Sequence, residues 1–202
     1  MDVPDNSRTR ILEAAAYLLK TRGLARTKLS DIAERAGMLA PSLYHHFSSK
    51  NKLVEEVMVE GIYRNTRYIM QQVEVLGPHA QSLARLKAAI TAHIDFLLTG
   101  DDFASAVGQV FHDLPDETRL RVLAAYSTFD NYWRDLIVSA QRSGACRASM
   151  DPTVMRKFLI AMLDSSNGWF RPGKLTSQEI ARQACELFLH GFAEREAGRA
   201  VA

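Results

Sequence analysis

Apolar residues along the chain recur at intervals of three and four, and the two-residue alternation of a half-buried strand is nearly absent. Ile11, Leu12, Ala15, Leu18 and Leu19 fall on one face of a first helix. Gly23 ends it, and Leu24 is placed for the hydrophobic contact of a glycine cap. Leu29, Ile32, Ala33 and Ala36 turn inward on a short second helix that stops at Gly37. A third begins near Ala40, tolerates Pro41 in its first turn, where no N–H partner is lost, and aims Leu43 and Phe47 at the core. A long fourth helix is predicted over about 50–76, closed by Gly77-Pro78, and five more over about 79–99, 102–112, 115–143, 152–170 and 177–196. Asp151-Pro152 reads as an N-cap followed by proline at the first helical position, and Thr176 with Glu179 reads as a capping box. The expected fold is all-α with about nine helices: a three-helix helix-turn-helix head over 1–50 and a C-terminal helical bundle over 51–202.

Composition narrows the function classes. The 202 residues are 47% apolar and 24% charged, ordinary values for a chain that buries a core. No apolar run approaches the roughly 20 residues of a spanning helix. The first six residues lack the basic and apolar segments of a signal peptide, so a cytoplasmic protein with no membrane partner is expected. Cys146 and Cys185 are far apart and read as two buried thiols. His45 and His46 point about 100° apart on a helix and cannot hold one metal together. Neither a metal nor a cofactor is expected. The formal net charge of +2 divides unevenly: through Val54 nine basic residues face five acids, while the remainder holds sixteen basic and eighteen acidic residues. A basic head on a slightly acidic body suits a reader of double-stranded DNA.

The head carries a specific string: Thr27-Lys28-Leu29-Ser30-Asp31-Ile32-Ala33-Glu34-Arg35-Ala36-Gly37, then Pro41-Ser42-Leu43-Tyr44-His45-His46-Phe47-Ser48-Ser49-Lys50-Asn51-Lys52-Leu53. Lys28 and Lys50 stand at or near helix starts, where the macrodipole disfavours a cation by about 0.3–1 kcal/mol. A phosphate bound at those N–H groups reverses the sign. With Leu43 and Phe47 inward, the third helix presents Ala40, Pro41, Ser42 and His45, a face without acid or bulk that can enter a major groove. Over this first quarter the chain closely resembles the tetracycline-repressor (TetR) family of bacterial regulators. That resemblance adds Thr27, Tyr44 and His46 to Lys28 and Lys50 as contacts to the DNA backbone and leaves Ser42 and His45 as readers of base edges. For Tyr44 a ring capping the core is the alternative. Leu39 and Pro41 depart from the family's usual turn, as does Lys28, which replaces a capping Thr.

In the body, Phe96, Phe103, Phe111, Phe129, Trp133, Met155, Met162 and Trp169 crowd the middle helices. They read as aromatic core or as the wall of an effector pocket, and the resemblance implies the pocket. The ligand-binding set expected is Phe96, Phe111, Phe129, Trp133, Met162 and Trp169. His93, Gln109, His112, Tyr126, Asn131 and Asn167 are the polar groups that could orient a small apolar effector. The last two helices carry apolar stripes, and the resemblance implies a homodimer joined through Phe158, Met162, Ala184, Leu187, Phe188, Gly191 and Phe192. Dimerisation sets two heads about 34–36 Å apart, the spacing of successive major grooves on a palindrome. The string Trp169-Phe170-Arg171-Pro172-Gly173, followed by Leu175-Thr176, resembles family members that govern lipid, acyl-CoA and steroid catabolism, and it ranks an acyl-CoA-like effector first.

Three alternatives stand beside a ligand-responsive repressor. One is an efflux-type regulator sensing lipophilic compounds, and another is a DNA-binding module without an effector. The third is a small hydrolase using His112 with Asp113 or His93 with Asp95, but no nucleophile elbow, phosphate loop or metal spacing accompanies those pairs. No enzyme is expected.

Overall fold

The computed structural model describes residues 7–171, 173 and 175–190. Among them are nine α-helices and no strand. The head comprises α1 (Ser7–Arg26), α2 (Leu29–Arg35) and α3 (Ala40–His46). The long α4 (Lys50–Glu74) leads into a body of α5 (Ser82–Thr99), α6 (Asp102–Val110), α7 (Asp116–Arg142), α8 (Pro152–Trp169) and α9 (Ser177–His190). The expected ninth helix reaches to 196, and its part beyond 190 lies outside the described residues. The expected helix over 102–112 ends as α-helix at Val110, and Phe111–Asp113 form a 3₁₀ turn.

Local chemistry sets the ends. Gly37 adopts φ 68°, Met38 N–H donates to Ala33 O (3.0 Å) and Gly37 N–H to Glu34 O (3.0 Å), which is the Schellman closure of α2. Asp151 Oδ1 accepts from Thr153 N and Val154 N at 2.8 and 3.0 Å, capping α8. Thr176 and Glu179 form the reciprocal box before α9: Glu179 Oε2 accepts from Thr176 N at 2.8 Å, and Thr176 Oγ1 accepts from Glu179 N at 3.2 Å. The backbone leaves helical geometry at Gly23 (φ 72°, ψ 176°), as the sequence predicts, and then resumes helical winding to Arg26.

The inward face of α1, through Ile11, Ala15, Leu18 and Leu19, packs with Ile32, Leu43, Phe47 and Leu53 into a fully buried head core. This core is continuous with that of the body, because α1 lies against α6 and α4 crosses both. Small residues permit the approach. A Cβ on Gly61 of α4 would sit 2.8 Å from both Phe103 O and Val107 Cγ2 of α6, so only glycine allows this crossing. Ion pairs bridge the same junction. Lys20 of α1 donates to Asp102 at 2.9 Å, and Arg64 of α4 reaches Asp101 at 3.4 Å while its guanidinium lies 3.9 Å from the Phe103 ring centre.

Candidate nucleic-acid interface and effector chamber

The head presents the start of α2, the turn before α3 and the outer face of α3. Lys28, Ser42, Tyr44 and His45 are exposed there, and His46 is half-buried. Two expected backbone contacts are placed differently. Thr27 is 1% exposed, and its hydroxyl donates inward to Gly23 O (2.8 Å) and Leu18 O (3.3 Å). Lys50 reaches back across the head to donate to Leu24 O at 2.7 Å, and burial lowers its pKa from the usual lysine value. Both side chains bond to carbonyls near the end of α1 and so help hold it against α2 and α4, and Thr27, being buried, presents no surface to a phosphate. A threonine and a lysine close in sequence to a helix end carry no signal that separates these roles.

One of the residues that depart from the family's usual turn stands out on this face, although it is not among the expected DNA contacts. Leu39 is 78% exposed and occupies the N-cap position of α3, with no side-chain cap hydrogen bond. A Ser or Asp there would stabilise the helix by about 1 kcal/mol. The chain forgoes that and leaves an aliphatic group in water at the tip of the head.

At the body end of the junction, Glu55 of α4 is buried between Lys52 (2.7 Å) and Arg121 of α7 (2.6 Å). Burial alone would raise its pKa, but the hydrogen bonds from Lys52 and Arg121 outweigh it and hold the carboxyl below the ordinary 4.5. Its contribution to stability is therefore complete above about pH 4.5 and disappears as the pH falls through the lower folded value. Glu55→Gln is expected to cost about 1 kcal/mol at neutral pH, because its cationic partners are half-exposed. In urea unfolding, the gap between wild type and variant should close on acidification; a gap that stays constant to pH 3 refutes the assignment.

Between α4, α5, α6, α7 and α8 lies a chamber of about 300 Å³. Ile62, Leu97, Ala104, Val107, Phe111 and Phe129 form its apolar wall, and Asn65, His93, Tyr126, Asp164 and Asn167 its polar one. Gly108, His112, Asp164 and Ser165 are exposed at its mouth. A Cβ on Gly108 would lie 2.7 Å from Asn167 Nδ2, so a side chain there would push the Asn167 amide from its place on the chamber wall. His93 is buried, with Nε2 2.9 Å from Asp164 Oδ1 and Nδ1 3.2 Å from Asn65 Nδ2. Burial raises the Tyr126 pKa well above the usual phenol value, with the Asp164 and Asp130 charges adding to it.

The expected ligand set divides. Phe111 and Phe129 line the chamber, as do His93, His112, Tyr126 and Asn167. Phe96 stacks on Tyr68 with ring centres 5.5 Å apart, and Trp133 is fully buried behind the wall against His93 and Phe129, so neither lines it. Gln109 and Asn131 are exposed and off the chamber. Met162 and Trp169 line a separate groove between α8 and α9, which corrects their reading as chamber residues. The His93–Asp95 pair of the hydrolase alternative does not form: Asp95 accepts from Tyr68 (2.8 Å) and Ser177 (3.0 Å), tying α5 to α4 and α9. Asn65 and Asp164 are chamber residues the sequence reading missed. Asn65 did carry a signal, standing on the buried stripe of α4 with Met58, Gly61, Ile62 and Ile69.

The groove opens on an apolar face. Phe158 is 70% exposed, and Trp169 and Leu175 are also exposed; Met162, Ala184, Leu187 and Phe188 are half-buried, all but Leu187 packed on the core. Gly191 and Phe192 lie outside the described residues. No described helix is long and apolar enough to cross a membrane.

A basic helix-turn-helix head joined by one long helix to a hollow helical body defines a class of ligand-sensing DNA-binding regulators. The chain belongs to the TetR family: residues 11–57 match the model for bacterial regulatory proteins of the tetR family, and residues 79–192 match the tetracyclin repressor-like C-terminal domain. It is thus a transcriptional regulator and not an enzyme. It is 31% identical over 195 residues, 92% of this chain and 91% of the other, to the HTH-type transcriptional repressor KstR2 of Rhodococcus jostii. Its structure is similar to that of the ketosteroid transcriptional regulator KstR2 of Mycobacterium tuberculosis (26% identity, TM-score 0.71, covering 96% and 98% of the two chains). AibR in complex with isovaleryl coenzyme A and operator DNA is also similar (26% identity, TM-score 0.78, covering 92% and 100%).

Proposed function

We propose that this chain is a cytoplasmic repressor that binds a palindromic operator as a homodimer and releases it when a largely apolar small molecule, such as an acyl-CoA-like compound, enters the chamber. The observation that carries this reading is the position of α6. Its Ala104, Val107 and Gly108 line the chamber, while Asp102 at its start is bonded to Lys20 of the head and Phe103 lies under Arg64 of α4. A ligand that pushes on α6 therefore acts on the head and on the long helix together. It shifts the equilibrium only if it binds the DNA-incompetent arrangement more tightly.

On the DNA side, Lys28, Tyr44 and His46 contact phosphates, and Ser42 and His45 read base edges. Leu39 joins the readers, its exposed aliphatic group matching the thymine methyl of the major groove. The similarity to the KstR2 repressor supports repression, and that to AibR bound to isovaleryl coenzyme A and operator DNA supports a coenzyme A ester as ligand. The test is salt-dependent binding to palindromic sequence near the gene. Lys28→Ala and Tyr44→Phe should weaken binding on all sequences alike, and Lys28→Ala should reduce the salt slope by about one. His45→Ala and Leu39→Ala should instead change the preference among operator variants, with a discrimination loss of about 1–3 kcal/mol at single base pairs. A uniform loss from all four variants overturns this division of contacts.

A further inference from the structure

The polar end of the chamber is one acceptor out of balance. Asp164 Oδ1 lies 2.9 Å from His93 Nε2, so that nitrogen carries a proton and donates it to the carboxylate. Asn65 turns its Nδ2 toward the other ring nitrogen, Nδ1, at 3.2 Å, and donates to it. The amide oxygen therefore faces away from the ring. Asn65 Oδ1 has no hydrogen-bond partner among the described residues, although the residue is only 9% exposed and lines the chamber. A buried acceptor with no donor is rare in folded proteins and calls for a reason. Among the residues that line the chamber none is Lys or Arg, and one is the Asp164 carboxylate.

We propose that the part of the effector enclosed by the chamber is an apolar skeleton bearing an uncharged hydrogen-bond donor, a hydroxyl or an N–H, which Asn65 Oδ1 accepts. This rests on the reading of the chamber as the effector site and specifies the chemistry that site selects. A carboxylate end is disfavoured twice: it has no donor for Asn65, and it meets the Asp164 carboxylate on a wall that holds no Lys or Arg. At about 300 Å³ the chamber is at the small end of ligand sites, so a large charged carrier group stays outside the mouth and only the ring or chain end enters.

The test uses three probes on one skeleton, cyclododecanol, cyclododecanone and cyclododecanecarboxylate, titrated calorimetrically into the full-length protein. Alcohol and ketone place one oxygen on the same ring, and only the alcohol can donate a hydrogen bond from it. The alcohol is expected to bind about tenfold more tightly than the ketone, the worth of one hydrogen bond to an otherwise unpaired buried acceptor. The carboxylate should be the weakest of the three. In Asn65→Leu, which keeps the volume and removes the acceptor, alcohol and ketone should fall within about twofold of each other. The wild-type ratio is decisive by itself if that variant does not fold. Ketone or carboxylate binding as tightly as alcohol overturns the inference and leaves the regulator reading standing, as does an alcohol preference that survives Asn65→Leu. If none of the three binds, and operator binding by the same sample is indifferent to all of them, the reading of the chamber as effector site falls and takes the inference with it.

Discussion

Phe158→Glu is expected to convert the protein to monomers and to weaken operator binding by more than a hundredfold. Phe158 is the most exposed aromatic residue described, and it stands one turn before Met162 on the face that borders the α8–α9 groove. In a two-fold dimer each substitution occurs twice, so glutamate would place two carboxylates into the same apolar contact. The large effect on DNA follows from linkage: two tethered heads bind two half-sites with an avidity roughly 10²–10⁴ above that of a single head. Sedimentation velocity and operator mobility shifts read the two consequences separately. Phe158→Leu, which keeps the face apolar, should retain the dimer. A Phe158→Glu protein that sediments as a dimer removes this face from the interface.

The largest loss of stability is expected from Trp133→Ala. Trp133 is fully buried on α7, edge-on to His93 at 5.8 Å and to Phe129 at 6.1 Å, and its removal leaves a cavity directly behind the chamber wall. Burying an aromatic of this size and then deleting it costs about 3–5 kcal/mol, which for a chain of this length lowers Tm by roughly 10 °C. The indole Nε1 has no hydrogen-bond partner among the described residues, so Trp133→Phe forfeits volume but no bond and should cost less than about 2 kcal/mol. Thermal unfolding of the two variants checks the order. If phenylalanine is as damaging as alanine, the nitrogen has a partner that matters, and the account of this site changes.

The relation between α1, α4 and Lys50 illustrates how far local reasoning reaches. The helix starts and stops around it are written in nearest-neighbour chemistry: Gly37 for a left-handed turn, Pro41 in a first turn, and Ser49, whose Oγ accepts from Lys52 N at 3.2 Å. A lysine at a helix start looks, on local grounds, like a group waiting for an anion. Its actual partner, Leu24 O, is 26 residues away, and no periodicity connects the two. Thr27 presents the same problem over a shorter distance. In the body, periodicity places Phe111, Phe129, Trp133 and Met162 on inward or half-inward faces but is silent on which gap between helices each face meets. The chamber consequently holds the first two, the core takes the third and the α8–α9 groove takes the fourth. His93 was visible as a polar group on an apolar helix, whereas its partner Asp164 lies 71 residues on.

By itself the sequence determined the helical class, the positions of most helix ends, the basic head with its recognition helix, and the family. Those properties depend on interactions within a turn or two of chain and on motifs that are contiguous. Tertiary structure alone decided that Thr27 and Lys50 brace the head, that Gly61 lets α6 lie against α4 between chamber and head, and that Asn65, His93 and Asp164 meet at one end of the cavity. Each of these joins residues from different helices. The contact exists only once the crossing of those helices is set by packing, which a one-dimensional pattern does not encode.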